Sequence, residues 1–131
     1  MKKNELLNDR VSAVIATMGH KETLAVGDCG LPVPKETERI DLALKKGIPT
    51  FIDTLCTVLG ELCVEKVILA EEIKTHSPRL LAEIEKAIGK IPVEYVAHEK
   101  LKEMTKVSKA VIRTGECTSY ANIILVSGVT F

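Results

Sequence analysis

The chain has 131 residues, 46% of them apolar and 27% charged, the balance of one globular domain, residues 1–131, with a core of its own. Eighteen Lys and Arg cancel eighteen Asp and Glu, and two Phe, two Tyr and no Trp give few stacking platforms, so a nucleic-acid partner is disfavoured. No apolar run nears the ~20 residues needed to span a bilayer. Met1-Lys2-Lys3-Asn4-Glu5 enters an amphipathic pattern with no export-signal core, so no membrane insertion and a cytoplasmic location are expected.

Residues 5–18 place Leu7, Val11, Val14, Ile15 and Met18 at spacings of three and four, which predicts a helix with one buried stripe that stops at Gly19. His20 then emerges where the chain turns. Residues 23–27, Thr-Leu-Ala-Val-Gly, read as a strand, and Asp28 opens a loop stiffened by Pro32 and Pro34. Ile40, Leu42 and Leu44 alternate with Arg39, Asp41 and Ala43, predicting a second strand closed by Lys46-Gly47. Pro49 can open a helix over 50–63 as its first residue.

Val64 to Ala70 reads as a fully buried strand. Ser77-Pro78 predicts the start of a helix through Ile88, with Ser as N-cap and Pro at the first helical position. Residues 93–96 form another strand, His98 lies just past its end, and 98–106 suit a short helix. Two apolar stretches close the chain: Ala110-Val111-Ile112 and Ile123-Ile124-Leu125-Val126. Strands alternating with helices indicate a three-layer α/β/α domain. The helix-free connection between the last two strands makes the sheet mixed and mostly parallel. Cysteines 29, 56, 63 and 117 form no Cys-x-x-Cys pair and are expected to be reduced and mostly buried.

Ligands of open α/β sheets bind where loops leave the strands' carboxyl ends. Asp28 and His98 fall just beyond strand ends, and the polar run Arg113 to Asn122 begins at another. That run carries a guanidinium, a carboxylate, a phenol and a carboxamide, groups suited to a polyhydroxylated small molecule. His20 precedes a strand, so helix 1 must deliver it from another direction or a neighbouring subunit must supply it. His76, in a polar turn, reads as solvated surface. Each residue also has a plain structural reading: His20 as a helix C-terminal cation, His98 as a helix starter, Asp28 as a turn acceptor. Gly27-x-x-Gly30 lacks dinucleotide-loop spacing, no Gly-x-Ser-x-Gly elbow is present, and no His-x-x-x-His or Glu-x-x-His pairing supports a metal.

Taken together, Met18-Gly19-His20, the Asp28-Cys29-Gly30-Leu31-Pro32-Val33-Pro34 segment, Asp41-Leu42-Ala43-Leu44 and Thr114-Gly115-Glu116-Cys117-Thr118-Ser119-Tyr120-Ala121-Asn122 resemble the D-ribose pyranases, within a wider group of ribose and fucose mutarotases. The resemblance extends over essentially the whole chain. It implies an isomerase that interconverts the β-pyranose and β-furanose forms of D-ribose, or of a similar monosaccharide, with no cofactor and no metal. It implies His20 as general acid, and Asp28, His98, Tyr120, Ala121 and Asn122 as the sugar-binding residues. A homo-oligomeric ring, a decamer, with sites at subunit contacts is also implied. Arg113 and Glu116 are then left to serve the loop or a subunit contact. Ser119 departs from the family pattern, which has Pro there. Fucose mutarotation and non-catalytic sugar binding in uptake are the competing readings.

Overall fold

Asn8 decides where the first helix begins. In the computed structural model, which describes residues 1–131, its side chain accepts the Val11 amide at 2.9 Å, so helix α1 runs Asp9–Thr17. The helix thus starts later than spacing from residue 5 predicts. Leu6, ahead of the cap, enters the core, while Leu7 is exposed. Strand β1 (Thr23–Gly27) matches its expected span. Strand β2 (Glu38–Asp41) is shorter than the 39–44 alternation. The chain leaves the sheet after Asp41, and Leu44 is 79% exposed.

Helix α2 (Phe51–Leu59) is capped by the Thr50 side chain accepting the Asp53 amide, which leaves Pro49 outside the helix rather than at its first position. Its buried residues are Phe51, Thr54, Leu55 and Val58; full burial of Phe51 contributes roughly 1.5–3 kcal/mol. Cys56 falls on the outer face and Cys63 lies beyond the helix. Both are exposed, as is Cys117, and Cys29 is half-buried, so the expectation of mostly buried thiols fails while all four are free. Strand β3 (Val64–Ala70) is buried only over its second half. One unexpected turn of helix, α3 (Ile73–His76), precedes α4 (Pro78–Ile88). Pro78 holds the first position of α4 as expected, but the Ser77 side chain makes no cap. Strand β4 (Val93–Val96), helix α5 (His98–Met104) with its 3-10 extension Thr105–Val107, and strands β5 (Ala110–Arg113) and β6 (Ile123–Ser127) complete the chain.

The six strands form one sheet in the order β2-β5-β1-β6-β3-β4. Strand β6 runs antiparallel to both β1 and β3, and every other pairing is parallel. Side chains alternate across it. Leu24 and Val26 enter the core shared with α1, α2 and α4, whereas Ala25 meets Val111, Ile124 and Leu101 of α5 on the other face. This is the expected three-layer α/β/α arrangement with a mixed, mostly parallel sheet. The last two strands are not a hairpin, because β1 lies between them. The run after Arg113 therefore crosses the carboxyl end of β1 to enter β6 in reverse. The carboxyl ends of five strands and the start of β6 share one edge.

Candidate active site

At that edge Asp28, His98, Tyr120 and Asn122 line one cleft of about 450 Å³, together with His76, Lys102, Ser119 and the Gly30–Pro32 loop. Asp28 is held from both sides. Its backbone amide donates to Asn122 Oδ1 at 3.1 Å, and Asn122 Nδ2 donates to its Oδ2 at 3.0 Å. The other oxygen, Oδ1, accepts the Gly30 amide at 2.9 Å. Asn122 is 1% exposed, so its carboxamide orients Asp28 as much as it meets a ligand. Gly27 makes this possible: a Cβ there would come within 2.9 Å of Asn122 Oδ1 and 2.5 Å of the Leu31 side chain. Ala121 is fully buried in the core and is not among the residues that line the cleft.

Tyr120 stands in a turn closed by the Ala121 amide donating to the Thr118 carbonyl at 3.3 Å, with φ of 62°. That is the third position of a type II turn, where Gly or Asn is preferred, and a non-glycine residue held there costs about 1–3 kcal/mol. Neighbours hold it. The His76 ring lies 4.9 Å from the Tyr120 ring and the His98 ring 5.1 Å away, edge-on. The Ser77 hydroxyl donates to the Ser119 carbonyl at 2.7 Å. His76 is exposed, as its polar turn suggested, and it also lines the cleft. Lys102, also unforeseen, sits one helical turn after His98 on α5, an i, i+4 spacing that would have found it.

His98 is the first residue of α5. Its amide donates to both carboxylate oxygens of Glu72, at 3.1 and 3.0 Å. Bonds from the Glu72 and His98 amides, with the nearby imidazoles, hold the Glu72 carboxyl below its ordinary range. His98 Nδ1 is buried without a hydrogen-bond partner, an unsatisfied polar atom in the wall of a polar cleft.

His20 is not in the cleft of its own chain. Its turn is tied to the far end of the sheet, where the Lys21 amide donates to the Ser127 carbonyl at 2.8 Å. The length of β1, five residues at ~3.3 Å each, or roughly 17 Å, separates that end from Asp28. There His20 Nε2 pairs with Glu65 Oε2 at 2.8 Å, and both side chains are more than a third exposed. The turn shares the geometry of the one at Tyr120: the Glu22 amide donates to the Gly19 carbonyl, and Lys21 has φ of 66°.

Arg113 and Glu116 build the loop, as expected. Arg113 forks onto Asp41 through Nε, 3.0 Å from Oδ1, and through its second terminal nitrogen onto Oδ2, and it also reaches the Cys29 carbonyl. Burial pushes the Glu116 carboxyl up. The Thr118 hydroxyl and the amides of Phe51, Cys117 and Thr118 outweigh this and leave it below its usual range. A Cβ at Gly115 would lie 2.3 Å from the Ile48 carbonyl oxygen, so the run can cross the 45–48 segment only with glycine there.

A half-enclosed cleft of convergent hydroxyl, carboxylate, carboxamide and imidazole groups at the carboxyl edge of an α/β sheet defines a small, polyhydroxylated-ligand site. The chain belongs to the RbsD / FucU transport protein family, whose profile matches residues 1–130. It is 58% identical over all of both chains to a D-ribose pyranase of Coprothermobacter proteolyticus. It is 53% identical to that of Geobacillus thermodenitrificans, over 100% of this chain and 99% of the other. Among solved structures it is similar to Bacillus subtilis RbsD complexed with D-ribose, with a TM-score of 0.97 and 45% identity over the full length of both. The fucose mutarotase of Streptococcus pneumoniae, at 20% identity and TM-score 0.83 over both full chains, shares the fold.

Proposed function

We propose that the chain is a D-ribose pyranase, an isomerase that exchanges the β-pyranose and β-furanose rings of D-ribose at the Asp28–His98–Tyr120–Asn122 cleft. The observation that carries this reading is the set of sugar-competent groups on one edge in a chain that matches ribose pyranases end to end. Ring-size exchange needs the hemiacetal opened and reclosed through a different hydroxyl. A proton leaves the anomeric hydroxyl and one reaches the ring oxygen, and no bond to the enzyme forms. General acid-base catalysis supplies about 10²–10⁴-fold, enough for a reaction already spontaneous in water. Asp28, fixed by Asn122 and the Gly30 amide, accepts from a sugar hydroxyl, and the Tyr120 hydroxyl and Lys102 ammonium orient its neighbours. His98 lines the cleft beside Tyr120 and offers its imidazole to a sugar hydroxyl.

His20 is the proton donor in this reading, and it acts in the cleft of a second copy of the chain. Its exposure, its distance from the cleft of its own chain and its carboxylate partner Glu65 support that role; Leu44, Ile48, Val107 and Phe131, all exposed, offer apolar surface for self-association. A closed ring, a decamer, satisfies every copy equally. No helix is long and apolar enough to cross a membrane, in keeping with action on cytoplasmic ribose. Saturation-transfer NMR of D-ribose tests the assignment. His20→Ala should return exchange to the uncatalysed rate, and mixing it with Asp28→Asn protein, also inactive, should restore a fraction after subunit exchange. Undiminished exchange by His20→Ala removes His20, and no recovery on mixing removes the shared site.

A further inference from the structure

Beside the cleft, two thiols that play no part in the sugar chemistry face each other. Cys29 follows Asp28 directly and Cys117 lies three residues before Tyr120, and their sulfurs are 3.5 Å apart. The backbone already joins the two loops, since the Cys29 amide donates to the Glu116 carbonyl at 2.8 Å. The other two cysteines are differently placed. Cys56 lies on the outer face of α2, and the Cys63 thiol donates to the Val129 carbonyl. Neither has a thiol neighbour among the contacts of this chain.

We propose that Cys29 and Cys117 are an oxidative modification site, converted by a peroxide to an intrachain disulfide that disables the adjacent sugar cleft. The effect on exchange rests on the ribose-pyranase reading; formation of the bond does not. Cys117 is the exposed member and is the sulfur that a peroxide reaches. Its thiolate attacks one peroxide oxygen, breaking the O–O bond and giving a sulfenic acid and hydroxide. The Cys29 sulfur then displaces the sulfenic oxygen as water, and its proton leaves with that oxygen. In sum, two thiols and one hydrogen peroxide give one disulfide and two waters. The hydrogen bond to Cys117, burial and the Asp28 charge all push the Cys29 thiol up, which suits it to the second, resolving step.

Bond formation draws the sulfurs from 3.5 Å to about 2.05 Å. The 28–30 loop must shift towards the 115–118 loop, or rotate its side chains to meet it. Asp28 and Tyr120 are attached to these two loops, and an ångström of misplacement in a site costs as much as ~10²-fold. Oxidation therefore lowers exchange, and reduction restores it.

The test uses the full chain carrying Cys56→Ser and Cys63→Ser, so that only the pair can react. Hydrogen peroxide in small excess should lower the intact mass by about 2 Da and join the peptides that contain Cys29 and Cys117. In the same sample ribose exchange should fall at least about tenfold and return with dithiothreitol. Cys117→Ser should keep basal exchange and lose both responses. Two thiols still titratable after peroxide, or oxygen addition without the loss of two hydrogens, overturns the site. A disulfide that leaves exchange unchanged overturns its effect on the cleft. Absence of exchange in the untreated protein would instead strike the ribose-pyranase reading, while the mass measurement still decides whether the pair oxidises.

Discussion

Asn122→Asp replaces one NH2 by an oxygen and leaves the shape of the side chain almost unchanged, which makes it the sharpest probe of how Asp28 is held. In the native chain Asn122 Nδ2 donates to Asp28 Oδ2 at 3.0 Å. The substitution puts two carboxylates there. Like charges about 4 Å apart near a protein surface repel by about 4 kcal/mol. Asp28 is half-buried, and screening by water reduces this to roughly 2 kcal/mol, or about a thirtyfold loss of correctly placed Asp28. One proton shared by the pair restores a donor and removes the repulsion. The deficit in exchange relative to wild type is therefore largest above neutrality and shrinks as pH falls towards the carboxylate range. Ribose exchange measured by NMR at about pH 5 and about pH 8 checks this, with thermal melts confirming that the variant stays folded. A ratio of variant to wild-type rate that is the same at both pH values would refute the proposed pairing.

Removing the ring that backs Tyr120 should loosen the sugar site: His76→Ala is expected to raise KM for ribose roughly two- to tenfold, the worth of one aromatic contact. His76→Phe should recover most of that loss, and a Phe variant no better than Ala would show that the ring contact is not what matters. Ser119 occupies the second position of a type II-like turn, where Pro is favoured, and its amide makes no hydrogen bond that Pro would remove. Ser119→Pro should add about 0.4–1 kcal/mol of stability and raise Tm by a few degrees while exchange persists; a lower Tm would count against the turn assignment. The Glu116 carboxyl is held below its unfolded range, so its share of stability is complete above that range and is lost as pH falls through the folded value. Glu116→Gln should lower Tm at neutral pH, because one amide must face donors, and should flatten the acid limb of the stability profile; an acid limb as steep as wild type would exclude that role.

Local signals carried much of the fold. The β1 span, Pro78 at the head of α4, and the burial of Val11 and Val14 all follow from side-chain period and terminal chemistry. Errors arose where one residue or a distant partner decided the outcome. Asn8 capping moved the helix start and exchanged Leu7 for Leu6 in the core. Leu42 and Leu44 alternate like a strand, yet β2 ends where its partner β5 ends, at the Asp41–Arg113 pair. The insertion of β1 between β5 and β6 is a long-range pairing with no local signature, and it makes the helix-free connection between the last two strands a crossover at the cleft. Asp28, His98, Tyr120 and Asn122 were legible because strand ends and a rich polar run marked them. His76 was not, since its place beside Tyr120 depends on β3 lying next to β6.

The central claim is catalysed exchange of ribose ring forms, and saturation transfer between the β-pyranose and β-furanose signals of D-ribose reads it directly. With the wild-type protein in excess chelator, the transfer rate should rise in proportion to protein concentration. A rate equal to that of ribose in buffer alone would contradict the account.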